Sequence, residues 1–591
     1  NAFWFVRNGA LNARNFFAPR RDSLKRNQFG GTLGGPVMRN RLFFFGGFQG
    51  TTVRTAPITT ISYVPTAAVL QGDFRQILAP PCQPVQRTLS SKVADGNVLL
   101  PGTIDPVAIN FLKQIPVATD PCGKIQYPVV EKSNAYQGVG KLDWQRTAKD
   151  SIFGRYYIND FIQQPYRDPG NLLTVRNGLP NRVQSITLGD TYVINTKIVS
   201  SFRLTYSRSA VQRLPPAGTP TMQDLGARIT AMFPNYIGQV SATGYFSFPL
   251  GIIPGYVYTN VYGVSEDIEW ALARHQLSFG VTWNQTRMNS IGPFQMNPRM
   301  TFTGQITGDA LADFLTGNMA TFLQGGGQVG REVQNAPALY FQDNWRISQK
   351  LSLNLGLRWD PFLPQVSKYG YAMRWSRARF DAGQRSRVFV NAPPGVTFPG
   401  DPDFEGRTTS LNPKYRMFAP RFGLAYDPRG GGKETIRAGY GIFYGGQNYL
   451  WHTMHVPLNP PWGYTISLSG VKLSDPWANY PGGNPFPPPT RFPSDFVFPT
   501  SAKYVFEADE ARPTYMQQWN LTLQKQMGAD WLLSATYMGN KTTHQWLGFA
   551  KNPAVYIPGG PCTLGGVTYN PCSTTASTDA RRVLSLADPA K

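Results

Sequence analysis

The sequence is poor in charged residues and contains no long apolar run. Charged residues make up only 15% of the 591 residues, whereas helical bundles and coiled coils need many Glu and Lys side chains. No run of about 18 apolar residues occurs, which excludes a membrane-spanning helix. A membrane-spanning β-strand is not excluded, because its signal per strand is much weaker.

Motifs for catalysis and for metal binding are also scarce. His275 and His544 are isolated, and each is better explained as a turn or interface residue than as a catalytic base. His452 and His455 have no neighbouring Cys or Glu that would complete a metal site. A glycine run is followed by Glu434 where a phosphate-binding loop needs Ser or Thr, so a β-turn explains it better. The sequence therefore predicts no enzyme, no metal site and no cofactor.

The residues that are abundant point to strands and loops. The chain has 59 Gly, 50 Pro and 13% aromatic residues, which is typical of many short strands joined by Gly/Pro-rich connections. The formal net charge of +23 would attract nucleic acid or anionic lipid. No recognition motif accompanies this charge, so we predict no nucleic-acid partner.

Alternation of apolar and polar residues is the clearest pattern in the chain. In residues 351–359, Leu and Trp alternate with Ser, Asn, Gly and Arg, which predicts a strand with one apolar face. Similar stretches pair across short turns. We predict seven hairpins, at residues 28–50, 135–160, 184–209, 259–288, 337–360, 417–444 and 517–540.

Two architectures fit this alternation: a soluble sandwich or propeller, and an outer-membrane barrel. The barrel is favoured by turns that are short at one end and long at the other, by strands near ten residues, and by aromatic residues at both strand ends. The aromatic residues beside the short turns are Trp144, Trp270, Trp345 and Trp531, and those toward the loops are Tyr206, Trp283, Trp359, Tyr444 and Tyr537.

Several segments resemble the Oar-like TonB-dependent receptors. They include RNQFGGTLGGPV from Arg26, FFFGGFQG from Phe43, YFQDNWRISQKLSLNLGLRWD from Tyr340, and IRAGYGIFY from Ile436. The resemblance implies an outer-membrane barrel of 22 strands that encloses a plug domain and receives energy through TonB. Members often carry a carboxypeptidase-regulatory-like domain before the plug.

The resemblance sets the expected fold and domains. Residues 2–7 are expected to form a further strand, which makes fifteen of the 22. We therefore expect an all-β transmembrane antiparallel β-barrel that is open and incomplete, with long extracellular loops and without the plug. Residues 1–540 would be this partial barrel, and residues 541–591 the start of a further extracellular loop.

Two functions are compatible with these expectations. The first is energy-coupled transport of an unidentified solute across the bacterial outer membrane. Its partners would be outer-membrane lipid or lipopolysaccharide and the TonB complex, and its lumen-facing candidates are Arg203, Asn284, Arg358, Arg437 and Gln524. The second is an adhesin-like barrel that binds at the surface without transport.

The four cysteines lie in Pro/Gly-rich segments. Two disulfides in an oxidising compartment and four free thiols are both compatible with this spacing. We predict that Cys82 pairs with Cys122, and Cys562 with Cys572, within their own loops on the external side.

Overall fold

The structure is a computed structural model, and it describes most of the chain. The described residues are 1–591 except 15, 17–20, 22, 57–59, 249–253, 293–294, 446–455, 490, 500–501, 503, 508–510, 575 and 588–591. His452 and His455 lie outside the described residues.

A single antiparallel sheet dominates the fold. Fifteen strands are hydrogen-bonded in chain order, each to the next, and a two-residue strand, Val366–Ser367, pairs with the tenth of them. The fifteen are β1 (Ala2–Asn8), β2 (Lys25–Met38), β3 (Leu42–Thr55), β8 (Glu131–Thr147), β9 (Asp150–Gln163), β12 (Asn181–Asn195), β13 (Ile198–Arg213), β16 (Gly255–Ala271), β17 (His275–Gly292), β20 (Gln328–Arg346), β21 (Leu351–Trp359), β25 (Phe418–Tyr426), β26 (Glu434–Tyr444), β28 (Tyr515–Met527) and β29 (Trp531–Thr543).

The shorter elements lie mainly in the connections. The strands are β4 (Thr60–Tyr63), β5 (Ala94–Asp95), β6 (Val98–Leu99), β7 (Lys124–Tyr127), β10 (Tyr166–Asp168), β11 (Asn171–Arg176), β14 (Gln239–Ala242), β15 (Phe246–Phe248), β18 (Arg299–Phe302), β19 (Asn318–Gly325), β22 (Val366–Ser367), β23 (Arg374–Trp375), β24 (Val396–Thr397), β27 (Thr465–Lys472), β30 (Cys562–Leu564) and β31 (Val567–Tyr569). The α-helices are α1 (Ala67–Leu70), α2 (Pro106–Leu112), α3 (Ala310–Leu315), α4 (Arg377–Asp381) and α5 (Val583–Ala587), and 3₁₀ turns cover Gly9–Leu11, Pro402–Phe404 and Val456–Leu458.

The seven predicted hairpins and the count of fifteen strands are confirmed. Among the described residues β29 does not pair with β1, so the sheet is open, as expected. The predicted strand length of about ten residues is wrong for most strands: β16 has 17 residues and β20 has 19. The strands are longer because they continue past their apolar stretch into more polar segments on the long-connection side.

The sheet separates apolar from polar side chains. Leu204, Val264 and Trp283 are register partners on neighbouring strands, so their side chains share one face. The register continues this face through Phe341, Leu355 and Phe422, all of them exposed. We name it the apolar face. All nine aromatic residues that the sequence placed at the strand ends lie on it. Three of them, Tyr206, Trp283 and Tyr537, lie near the middle of their strands, because these strands extend further toward the long connections.

The long connections fold together rather than extending separately. Strands β15, β14, β18, β19 and β27 form a second, five-stranded sheet from three different connections. At its centre, the Phe314 ring lies 5.3 Å from Phe111, 5.4 Å from Phe246 and 5.0 Å from Phe302. We call this unit the loop core. Helix α3 belongs to this core, and all six of its residues are buried there.

Asp309 begins α3 and ties it to the loop core. Its side chain is the N-cap of the helix and accepts hydrogen bonds from the amides of Leu311 and Ala312. It also accepts one from the Tyr245 hydroxyl at 2.8 Å and lies 3.3 Å from the Arg87 guanidinium. Burial beside this carboxylate raises the pKa of Tyr245 well above its ordinary value.

Each pair of cysteines lies close together within one connection. The sulfur atoms of Cys82 and Cys122 are at bonding distance, and so are those of Cys562 and Cys572. In the described part of the chain, no helix is long and apolar enough to cross a membrane.

Candidate functional site

The face opposite the apolar one carries the predicted lumen-facing residues. Arg203 pairs in register with Ser265, and Ser265 with Thr282, which is two residues from Asn284. Arg358 pairs with Tyr340, whose partner Gly280 lies on that same face. Following the register across β25 and β26 brings Arg437 and Gln524 to it as well. All five candidates thus share one face, which we name the polar face.

Arg203 is already held by its neighbours on the polar face. Its Nη1 lies 2.9 Å from Oδ2 of Asp267, and the Tyr340 hydroxyl donates to Oδ1 of the same carboxylate at 2.7 Å. The network joins β13, β16 and β20. It fixes the positions of three side chains, because the Asp267 carboxylate accepts one hydrogen bond from Arg203 and one from Tyr340.

Arg358 and Asn284 are also placed by local contacts. The Arg358 Nε lies 3.2 Å from Asp360 at the end of β21. The Asn284 Oδ1 lies 2.7 Å from the point where a Cβ on Gly263 would be, so a larger residue at this position of β16 would displace the amide. Neighbouring residues therefore hold both side chains in place on the polar face.

Arg421 and Arg437 differ from these paired residues. The Arg421 guanidinium lies 4.8 Å from the centre of the Phe443 ring, on the polar face. Within the described part of the chain, neither arginine forms an ion pair, and both are exposed. Their charge is available to a solute or to another protein segment. The sequence pattern did not single out Arg421, although its place in an alternating strand puts it on this face.

The arrangement of the two faces agrees with a family comparison. The sequence model of the family described as "Outer membrane beta barrel domain" matches residues 1–588. The chain belongs to this family. It is therefore a bacterial outer-membrane protein with a transmembrane β-barrel fold. The comparison with curated protein sequences gives no match.

Several solved structures resemble this outer-membrane barrel domain. The outer membrane transporter YddB from Escherichia coli is 12% identical, with 90% of this chain and 48% of that chain covered and a TM-score of 0.44. The siderophore receptor PirA from Acinetobacter baumannii is 11% identical, with 96% and 56% covered and a TM-score of 0.41. The ferric enterobactin receptor PfeA from Pseudomonas aeruginosa is 12% identical, with 95% and 55% covered and a TM-score of 0.40. The chain spans about half the length of these proteins.

The barrel domain carries a second polar feature in its loop region. A cleft of about 490 Å³ lies between two connections and is lined by Gln223, Arg228, Thr230, Asp475, Trp477 and Asn484. Arg228 forms an ion pair with Asp475 at 3.3 Å, and Asn484 donates to Thr230 at 3.0 Å. The indole Nε1 of Trp477 is buried without a hydrogen-bond partner. The cleft depends on contacts between distant connections, which local sequence patterns do not reveal.

In the described part of the barrel domain, no three His, Cys, Asp or Glu side chains are grouped closely enough to hold a metal ion. His275 instead forms a 2.8 Å contact with Asp343 beside Trp345, at the short-turn end of the apolar face. His275 therefore lies at a short turn, at the end of the apolar face where an amphipathic side chain is expected.

Proposed function

We propose that this chain is the barrel portion of a TonB-dependent outer-membrane transporter or receptor for a polar solute. The observation that carries the proposal is the polar face, on which Arg203, Arg358 and Arg437 lie opposite a continuous apolar face with two aromatic girdles. In an outer-membrane barrel the apolar face contacts lipid and the polar face lines the lumen. The Oar-like subtype remains a prediction from the resemblance.

Within this proposal the arginines have two different roles. Arg203 is neutralised by Asp267 and acts as part of the barrel wall. Arg421 and Arg437 have no carboxylate partner among the described residues, so they are the groups that attract an anionic solute or a plug segment. The solute would first meet the loop region, because long connections face outward in such barrels.

The partners follow from the same proposal. Outer-membrane lipid surrounds the apolar face, and the unidentified solute passes along the polar face. The TonB complex would act through a plug domain rather than through residues of this sheet. No nucleic-acid partner is proposed.

Uptake by intact cells tests this function with the complete protein encoded by the gene. Cells are given a defined mixture of isotope-labelled solutes, and uptake is followed by mass spectrometry. Deletion of the gene and deletion of TonB should abolish uptake of the same compound. Arg421→Gln with Arg437→Gln should slow that uptake at least tenfold. The matched control, Arg274→Gln with Arg346→Gln, removes two charges near the short turns and should leave uptake unchanged.

A surface-binding barrel without transport is the second candidate function. The loop core favours it, because four connections share one buried aromatic cluster and form a stable external unit. In this case cells would bind a compound through the loop region, and TonB deletion would change neither binding nor uptake. That result would overturn the transport proposal.

A further inference from the structure

A cluster of arginine and tyrosine side chains interrupts the apolar face at its loop end. It comprises Tyr206 and Arg208 on β13, Tyr258, Asn260 and Tyr262 on β16, and Arg287 on β17. Arg208, Asn260 and Arg287 are direct register partners across the three strands. We name these six residues the rim patch.

The rim patch is held together by contacts among its own members. Asn260 Oδ1 accepts hydrogen bonds from the Arg208 Nη1 and from the Tyr206 hydroxyl, both at 3.0 Å. The Arg208 guanidinium lies 5.4 Å from the centre of the Tyr258 ring, and the Arg287 guanidinium lies 5.1 Å from that of Tyr262. The tyrosine rings and the asparagine therefore hold both guanidinium groups at the sheet surface.

No carboxylate neutralises these two arginines within the described residues. The nearby carboxylate of Asp160 belongs to an ion pair with Arg182 on the adjacent strands. Arg287 donates a hydrogen bond from Nε to the amide oxygen of Gln285 at 2.6 Å and lies against the Tyr262 ring. The rim patch thus presents two positive charges without a carboxylate partner at the loop end of the apolar face. The Cα atoms of Arg208 and Arg287 are two strand spacings apart, which is about 10 Å.

The height of the rim patch matches one membrane interface. Ile198 pairs with Trp270 at the short-turn end of the apolar face. Arg208 lies ten residues further along β13, toward the long connections. At about 3.4 Å per residue and a strand tilt near 40°, this separation is about 26 Å along the membrane normal. The apolar band of outer-membrane barrels is about 25 Å tall. The arginines therefore lie at the level of lipid headgroups, on the side of the long connections.

We propose that the rim patch binds the phosphate groups of a phosphorylated glycolipid of the outer leaflet. Guanidinium groups bind phosphate through paired hydrogen bonds, and the position on the lipid-facing surface selects a membrane amphiphile over a soluble anion. Tyrosine rings at the same level contact the sugar and the upper acyl chains. This site is separate from the polar face and does not depend on transport.

Lipid retention by the complete protein tests the site. Purified protein in detergent is mixed with lipopolysaccharide, with enzymatically dephosphorylated lipopolysaccharide, or with inorganic phosphate, and binding is measured by native mass spectrometry and by the thermal shift. Wild type should bind phosphorylated lipopolysaccharide at least tenfold more tightly than Arg208→Gln with Arg287→Gln. The control Arg274→Gln with Arg346→Gln removes equal charge at the opposite end of the strands and should bind as wild type.

Three results would overturn the proposal. They are equal binding by the rim-patch variant, equal binding of the dephosphorylated lipid, and a thermal shift by inorganic phosphate as large as that by the lipid. If the double variant fails to fold, Arg287→Gln alone and Arg208→Lys with Arg287→Lys replace it. The first should bind more weakly than wild type, and the lysine variant should retain most of the binding because it keeps the charge.

Discussion

Arg203 on β13 and Asp267 on β16 form a 2.9 Å ion pair across neighbouring strands of the polar face. The same carboxylate accepts the Tyr340 hydroxyl from β20. One acidic side chain therefore links three strands of the barrel wall, and it explains why this arginine is not free to bind a solute.

The Arg203–Asp267 pair should contribute modestly to stability. Both side chains are partly exposed, at 45% and 26%, so solvent screens their attraction. A double-mutant cycle of Arg203→Gln and Asp267→Asn should give a coupling free energy of about 0.5–1 kcal/mol, decreasing with added salt. Urea unfolding of the complete protein in bilayers measures it. A coupling near zero would contradict the contact.

The two faces of β21 should respond differently to a new charge. Leu355 lies on the apolar face, and Asn354 on the polar face beside Asn344. Leu355→Arg should cost about 2–4 kcal/mol because it places a charge against lipid near mid-membrane, and Asn354→Arg should cost much less. Folding titrations of the complete protein in bilayers provide the comparison. Equal costs for the two substitutions would show that the assignment of faces is wrong.

Asp309 should be needed for the loop core. Asp309→Ala removes the cap of α3 and leaves the Tyr245 hydroxyl without its acceptor. Loss of a cap costs about 1 kcal/mol, and an unsatisfied buried polar group adds about 1–3 kcal/mol. Hydrogen exchange should become faster in residues 300–325 and stay unchanged in β16 and β17. Asp309→Asn is the control, since its amide oxygen can still cap the helix and should reduce the effect.

The disulfides should stabilise the loop region to different degrees. Reduction of Cys82–Cys122, which closes a loop with a separation of 40 residues, should lower the free energy of unfolding by about 4 kcal/mol. Reduction of Cys562–Cys572, with a separation of 10 residues, should lower it by about 3 kcal/mol. Non-reducing peptide mapping checks the pairing. Detection of Cys82 joined to Cys562, or of four alkylatable thiols, would refute it.

Alkaline conditions should unfold the loop region before the sheet. Burial raises the pKa of Tyr464 from 10.0 to about 12, with its hydroxyl donating to the Pro485 carbonyl. Because the folded pKa is raised, this stabilisation is complete below pH 10 and is lost as the pH rises toward 12. Tyrosinate absorbance and hydrogen exchange between these pH values measure the loss. Tyr464→Phe should make the stability of the loop region depend less on pH. If the variant loses stability over the same pH range as wild type, Tyr464 is not the group responsible.

Local patterns in the sequence determined most of the transmembrane sheet. Alternation in residues such as 351–359 depends only on neighbours along the chain, and short turns force adjacent strands to pair. The same alternation put Arg203, Asn284, Arg358, Arg437 and Gln524 on one face without any knowledge of the structure. Helix α3 was also predictable, since its cap lies within the segment itself.

Contacts between distant segments required the tertiary structure. The Phe314 ring meets Phe111 and Phe246 from two other connections, and β14 pairs in parallel with β18. Such pairings depend on which loops the barrel brings together at one end, and no periodic pattern within a single loop encodes them. The rim patch shows the same distinction. Arg208 and Arg287 are 79 positions apart in sequence, and only the register across β16 makes them neighbours on one surface.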